Sequence, residues 1–212
     1  MTSSLEAVEE KETGRLEAFS DGVFSIAITL LVLELKVPKF EAPRSAHYLI
    51  KELLQLWPSY LAYFISFFTI LIMWVNHHRI FTYIKRVDNT FLFLNGFLLM
   101  LVAFVPFPTA VLAGHVEDHY AVTATAFYTG TYVMIAIAFN ILWHYAIFRR
   151  RLVGRSAAQA GISSITRNYL WGPPLFFLTF LFAFFNVPLS LSAFTALSFF
   201  YAFVQDVKPS RK

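Results

Sequence analysis

The chain contains no cysteine and few charged residues, and both shortages restrict what it can be. Among its 212 residues the absence of cysteine excludes disulfide bonds, thiol nucleophiles and thiolate metal sites. Charged residues make up 14% of the chain, well below the roughly 25% of soluble domains. Gly-rich phosphate loops, a nucleophile elbow and an HExxH zinc motif are also absent from the sequence. We therefore predict that the chain is not an enzyme and binds no cofactor or metal.

Long apolar runs take the place of these features. Apolar residues form 58% of the chain, with 25 Phe, 10 Tyr and 4 Trp. Because about 20 apolar residues cross a bilayer as a helix, the pattern predicts an all-α integral membrane protein with six transmembrane helices. The predicted spans cover residues 17–37, 54–77, 88–112, 119–147, 168–187 and 188–206. The segment 38–51 is too polar to cross and predicts a short surface excursion.

The basic residues are distributed unevenly between the two sides of the membrane. With six spans, thirteen of the 17 Lys and Arg residues fall on the side of the N-terminus and four on the other. Because basic residues are retained in the cytoplasm, both termini are predicted to be cytoplasmic. This distribution explains the net charge of +4 without a nucleic-acid partner. The predicted organisation is a cytoplasmic segment 1–14, a six-helix domain 15–206 and a cytoplasmic tail 207–212.

Prolines occur inside the second, third and fifth predicted spans, and Pro188 begins the sixth. Pro58 lies near the start of the second span, and Pro173 and Pro174 fall in the first turns of the fifth. A missing N–H costs least in the first turn of a helix, so these three residues are compatible with helix starts. Pro106 and Pro108 lie far along the third span and predict a kink or an early end there.

The first span carries two distinct stripes when residues 15–38 are read as one helix at 100° per residue. The polar stripe consists of Asp21, Ser25 and Thr29. The aliphatic stripe lies beside it and consists of Ile26, Leu30 and Leu33. The first span therefore presents two faces of different chemistry.

Asp21 is a carboxylate at the cytoplasmic end of an otherwise apolar span. A charge at membrane depth is costly, and it marks a functional or packing site with a partner. One interpretation is a shallow, hydrated Asp21 that pairs with Arg15. The other partner is the polar cluster Trp74, Asn76 and His77 on the same side of the membrane. We interpret this cluster as structural, a network that holds the first helix in place.

Histidine pairs offer weak signals for a metal site. His77 and His78 are adjacent, so on a helix they point about 100° apart and cannot chelate one ion. His115 and His119 have the i, i+4 spacing of a helical metal pair, with two acidic residues between them. A surface metal contact and a cap for the fourth span are both compatible with this spacing. We favour the cap.

The first span also resembles the signature of a known family, the transmembrane protein 175 family of endolysosomal potassium channels and their prokaryotic relatives. The residues that carry the resemblance are Arg15, Phe19, Ser20, Asp21, Ser25, Ile26, Thr29, Leu30, Leu31, Leu33 and Glu34. A single six-helix unit resembles the prokaryotic branch. The resemblance implies a homotetramer in the cell inner membrane, with the first helix of each subunit lining a central pore.

The resemblance also implies roles for individual residues in a potassium channel of modest selectivity over sodium. The pore constriction would be formed by Ile26, Leu30 and Leu33, and Thr29 would contribute to selectivity. The signature network that packs the pore helix would consist of Arg15, Phe19, Ser20, Asp21, Ser25, Trp74, Asn76 and His77. The partners implied are potassium ions as permeant ions, the lipid bilayer and other copies of the chain.

Two other functions remain open. A proton-coupled solute transporter would use Asp21 as its titrating group and the neighbouring histidines as a relay. Transporters of this kind usually show repeats or helices broken at the membrane midplane, whereas the polar groups here gather at one end. A non-conducting membrane scaffold would use the same polar network for assembly only. We favour the channel.

Overall fold

The computed structural model describes residues 2–38, 46–148, 152–154 and 159–203. Within these ranges the regular structure is helical, apart from one isolated β-bridge between Ile84 and Val153. The helices are α1 (Thr2–Leu30), followed by a 3₁₀ turn (Leu31–Glu34), then α2 (Ala46–Gln55), α3 (Trp57–Tyr83), α4 (Asn89–Phe104), α5 (Pro106–His115), α6 (Ala121–Ile147), α7 (Gln159–Phe182) and α8 (Val187–Phe203).

Several of these helices are able to cross a membrane. By length and composition the segments that qualify among the described residues are Glu12–Glu34, Trp57–Tyr83, Asn89–His115 and Ala121–Ile147. The helix Val187–Phe203 is also apolar but shorter. The predicted class, an all-α protein of membrane-spanning helices, is therefore confirmed. The number of six spans stays a prediction.

The first span is not one continuous α-helix through residue 38, and that prediction is wrong. The α-helix ends at Leu30, a 3₁₀ turn runs from Leu31 to Glu34, and the next residue has extended backbone with φ −78° and ψ 96°. Pro38 disfavours helical backbone at the residue before it, and helix ends commonly tighten into 3₁₀ geometry. Because side chains three apart eclipse in a 3₁₀ helix, Leu33 lies above Leu30 along the axis.

The predictions of helix starts and breaks made from the prolines are confirmed in part. Pro58 lies in the first turn of α3. The predicted break in the third span is confirmed, since α4 ends at Phe104 and α5 begins at Pro106. The prediction that Pro173 and Pro174 lie in the first turns of their helix is wrong. The polar residues before them are helical as well, so α7 begins at Gln159 and both prolines lie inside it.

A neighbouring helix compensates for Pro173 in α7. Pro173 has no N–H, so the carbonyl of Tyr169 lacks its usual helical donor. The side-chain amide of Asn140 on α6 donates to that carbonyl at 2.6 Å. The hydroxyl of Tyr201 on α8 donates to the carbonyl of Asn168 in the same turn, at 3.0 Å. Helices in a membrane tolerate internal prolines where neighbours satisfy the backbone in this way.

The segment between the first span and α3 contains a helix that the prediction of a simple surface excursion missed. The helix is α2, and its apolar side chains fall on one face. The exposed members of this face are Leu49, Ile50, Leu53 and Leu54. An apolar face that points away from the rest of the chain is typical of a helix lying in a membrane interface.

The core of the bundle lies around α6, and α1 lies at its edge. In the most apolar 18-residue stretch of α6, 56% is buried, against 22% in the first span. Aromatic side chains fill the space between α6 and α8, where the ring of Tyr132 lies 4.7 Å from that of Phe194. The first span packs on α3 and α4 and leaves its other side uncovered.

Candidate pore-lining helix and its anchoring network

One side of α1 and its 3₁₀ extension faces the rest of the chain. The buried residues on this side are three, four or seven positions apart, as expected for a helix with one packed stripe. They are Thr13, Ser20, Phe24, Ala27 and Leu31. The opposite side of the helix therefore faces away from the subunit.

The residues predicted to line a pore lie on this uncovered side. Ile26 is 60% exposed, Leu30 39% and Leu33 71%. Thr29 is exposed beside them, and its hydroxyl donates to the carbonyls of Ser25 at 3.0 Å and Ile26 at 2.9 Å. Because its proton is used within the helix, Thr29 presents acceptor lone pairs to whatever lies against this face.

The packed side of α1 is fixed by a chain of hydrogen bonds that crosses three helices. His77 Nε2 on α3 donates to Asn95 Oδ1 on α4 at 2.8 Å. The amide Nδ2 of Asn95 donates to Ser20 Oγ on α1 at 3.0 Å, and Ser20 Oγ donates to the carbonyl of Leu16 at 2.8 Å. His77, Asn95 and Ser20 are fully buried. Each donor in this series of bonds points to the next residue, and the series ends on the backbone of α1.

Aromatic rings enclose His77 and fix its orientation. The ring lies 4.5 Å from that of Phe81, 5.3 Å from that of Phe24 and 6.4 Å from that of Phe139. Its Nδ1 atom is buried and finds no hydrogen-bond partner within the described ranges. With one nitrogen donating and the other enclosed by carbon atoms, His77 is built into the packing of α1 against α3.

Two carboxylates of α1, Asp21 and Glu17, contact the end of α3. Trp74 Nε1 donates to Asp21 Oδ1 at 2.8 Å, which gives Asp21 the partner that the sequence predicted for it. One turn earlier, Glu17 accepts from His78 Nδ1 at 2.8 Å. The rings of Trp74 and His78 stack with centroids 6.2 Å apart. Together with Ser20, three residues in the first turns of the span bind α1 to its neighbours.

Four residues of the predicted network lie outside these contacts. Arg15, Phe19 and Ser25 are exposed on the uncovered side of α1, so the subunit itself gives them no packing role. Asn76 is buried on another side of α3, where its carbonyl accepts from Tyr169 Oη at 3.4 Å. Ser25 lies further round the helix than Asp21, on the uncovered side. The interpretation that Ser25 anchors α1 within the chain is therefore not supported.

Sequence reasoning missed three members of the network: Asn95, Glu17 and His78. Asn95 joins α1 to α3, yet it is a single amide inside the apolar helix α4. A lone polar residue in an apolar span is the signal that could have found it, since such residues seek partners inside the bundle. Its partners could not be read from spacing, because they lie on other helices.

The prediction that the histidine pair caps α6 is wrong, because the N-cap of α6 is Tyr120 and no side chain of the described residues makes a capping hydrogen bond there. His115 Nδ1 donates to Asp118 Oδ2 at 2.8 Å, and Asp118 Oδ1 accepts from the backbone N–H of Tyr120 at 2.7 Å. His119 instead packs on the ring of Tyr120 at 3.9 Å. The hydrogen bond from His115 lowers the pKa of Asp118. Across the described ranges no group of three or more potential ligands could hold a metal ion.

The fold and this site together define a polytopic α-helical membrane protein in which one span is left uncovered along an aliphatic face. The family model of the endosomal/lysosomal potassium channel TMEM175 matches residues 15–106. A potassium channel of Chamaesiphon minutus is 49% identical over 198 residues, covering 93% of this chain and 97% of the relative. A potassium channel of Streptomyces collinus is 43% identical, covering 95% of this chain and 97% of that protein. The chain belongs to the TMEM175 family.

A solved structure and a vertebrate relative extend the comparison. The crystal structure of a lysosomal potassium-selective channel TMEM175 homolog from Chamaesiphon minutus superposes with a TM-score of 0.84 at 46% identity. It covers 93% of this chain and 100% of that one. The human endosomal/lysosomal proton channel TMEM175 is 36% identical over 97 residues, which are 43% of this chain and 19% of the human protein. The resemblance seen in the first span is confirmed.

Proposed function

We propose that the chain is the subunit of a potassium-selective cation channel, a homotetramer of six-span subunits whose first helices surround a central pore. The observation that carries the proposal is the uncovered face of α1, on which Ile26, Leu30 and Leu33 are exposed. Lipid alone would accept such a face, but Thr29 adds a polar group to it and the near full-length bacterial relatives bear the name potassium channel.

The same face explains how ions would pass and be stopped. Rings of Ile26, Leu30 and Leu33 from surrounding subunits would form a constriction that closes by excluding water. Leu30 and Leu33 lie in line along the axis, so they act as two adjacent rings. A passing ion loses part of its hydration, which costs potassium less than sodium, and the Thr29 oxygens replace some of the lost water. Selectivity of this kind is modest.

The anchoring network has a structural role in this proposal. The bonds of Ser20 and Asp21 to side chains of α3 and α4 set the rotation of α1, and thereby decide which face meets the pore. The exposed Arg15, Phe19 and Ser25 then contact neighbouring subunits. Both termini face the cytoplasm of a cell whose inner membrane holds the channel, and the tail 207–212 lies outside the described residues.

Flux through proteoliposomes tests the constriction. Ile26→Asn and Leu30→Asn each hydrate the proposed rings, so potassium conductance is expected to rise or selectivity to fall. Leu92→Asn on α4 is the matched control, because Leu92 is 41% exposed and Leu30 39%. Wild-type currents in both pore variants would remove the proposed constriction. A monomer in native mass spectrometry of the wild type would contradict the tetramer.

The same vesicles separate the channel from a transporter. Reversal potentials that follow the potassium gradient at constant pH support a potassium channel, and potentials that follow only the pH gradient support proton conduction. A vesicle without potassium current, in which Asp21→Asn abolishes proton-coupled uptake of a solute, would favour the transporter instead.

A further inference from the structure

A cavity of about 60 Å³ lies inside the subunit, where α3, α6, α7 and α8 meet. It is separate from the uncovered face of α1. Its walls are mostly apolar and include Ile72, Ile135, Phe139 and Phe176. Among the described residues that line it there is no Lys, Arg, Asp or Glu. An ion would lose its hydration there without compensation, so any occupant is a neutral molecule.

Three of the hydroxyl groups in the cavity wall have already used their protons. Thr69 donates to a main-chain carbonyl at 2.7 Å, Ser198 at 2.9 Å and Tyr201 at 3.0 Å. Each of these oxygens keeps lone pairs that can accept a further hydrogen bond. The wall can therefore receive a donor from a molecule inside the cavity.

Asn76 supplies the polar group without a partner. The residue is 8% exposed, and its bond to another helix uses the backbone carbonyl, which accepts from Tyr169 Oη. Among the described residues no hydrogen bond engages its side-chain amide. The amide can therefore donate to, and accept from, a molecule inside the cavity.

We propose that this cavity binds a small, uncharged alcohol. One water occupies about 10–15 Å³ on this scale, so the cavity of about 60 Å³ holds about four to six non-hydrogen atoms. The hydroxyl of the alcohol bonds the Asn76 amide, and its short carbon chain lies against Phe139 and Ile135. Such molecules dissolve in the bilayer and reach the cavity from the lipid.

The cavity lies next to the residues that hold the first helix. Met73 and Asn76 line it, and they alternate along α3 with Trp74 and His77, which bond Asp21 and Asn95. A molecule bound in the cavity therefore affects the rotation of α1. An effect of binding on the pore rests on the proposed function, whereas binding of the alcohol itself does not.

Crystals soaked in 2-bromoethanol test the binding directly, since the anomalous signal of bromine locates the molecule. The wild type is expected to show bromine inside the cavity, and Ala136→Leu to lose it because three added carbon atoms fill the space. Ala103→Leu, on an exposed position of α4, should keep it. Water alone in the wild-type cavity would overturn the proposal. Equal occupancy by bromoethane, which has no hydroxyl, would overturn the part assigned to Asn76.

Potassium flux gives a second, independent readout. Straight-chain alcohols with up to about six non-hydrogen atoms should change the flux in wild type and in Ala103→Leu, and should leave Ala136→Leu unchanged. An effect that grows steadily with chain length and is equal in all three proteins would be a bilayer effect, and would overturn the coupling to the pore. Bromine in the cavity of a protein without any flux would support the site while refuting the channel.

Discussion

The hydrogen bonds of Asn95 predict that one amide in α4 stabilises the attachment of α1. Asn95→Leu keeps the number of non-hydrogen atoms in the side chain and removes both bonds, to His77 at 2.8 Å and to Ser20 at 3.0 Å. Ser20 stays satisfied because it still donates to the carbonyl of Leu16. His77 is left buried with neither ring nitrogen bonded to a described residue.

The size of the effect follows from what each group loses. The unpaired His77 N–H costs about 1–3 kcal/mol, and the lost bond to Ser20 adds about 0.5–1.5 kcal/mol. We expect Asn95→Leu to lower the free energy of unfolding by about 1.5–4.5 kcal/mol. His77→Phe alone leaves the Asn95 oxygen unpaired and should cost a similar amount. The double variant replaces both partners by apolar groups, so its cost should be well below the sum of the two.

Unfolding in mixed micelles with increasing dodecyl sulfate, followed by circular dichroism, measures these free energies. The double-mutant cycle isolates the bond between His77 and Asn95 from the effects of repacking. Thr90→Leu, at an exposed position of α4, is the control and should change the free energy of unfolding by less than about 0.5 kcal/mol. Strictly additive costs, or a loss below about 0.5 kcal/mol for Asn95→Leu, would show that the network does not anchor the helix.

Two further predictions concern α7 and the turn before α6. Asn140→Leu leaves the Tyr169 carbonyl without its donor and should cost about 1–3 kcal/mol in the same unfolding assay. Adding Pro173→Ala should restore much of the lost stability, because it returns a helical N–H to that carbonyl. Absence of this rescue would contradict the assignment. His115→Phe should raise the pKa of Asp118 in a carbon NMR titration, because the bond that lowers it is gone. The lowered pKa of Asp118 stabilises the fold above a pH of about 4, and this stabilisation is lost as the pH falls through the lowered pKa. An unchanged titration of Asp118 in His115→Phe would refute the pairing.

The sequence predicted the helices better than their ends. Apolar runs gave the positions of the long helices, and Pro106 marked the break between α4 and α5. Pro173 and Pro174 misled because a proline inside a helix and a proline at its start look alike in a sequence. The difference lies in Asn140 on α6, which donates to the carbonyl that Pro173 leaves without its helical donor.

For the candidate site, too, the sequence predicted some features and missed others. The helical wheel placed Ile26, Leu30 and Leu33 on one stripe because helical periodicity is a local property of the chain. The carboxylate of Asp21 indicated a partner, and Trp74 was among the residues expected to supply it. Asn95 was missed, since its two partners belong to helices distant in sequence.

The sequence by itself determined that this protein is a set of membrane-crossing helices, and that the first helix has an aliphatic stripe beside a polar one. It could not determine which side of that helix is covered. In a membrane, a face toward lipid, a pore or another helix is equally apolar, so hydrophobicity does not separate them. Only the tertiary structure, by packing Ser20 and Phe24 inward, decided that Ile26, Leu30 and Leu33 point away from the subunit.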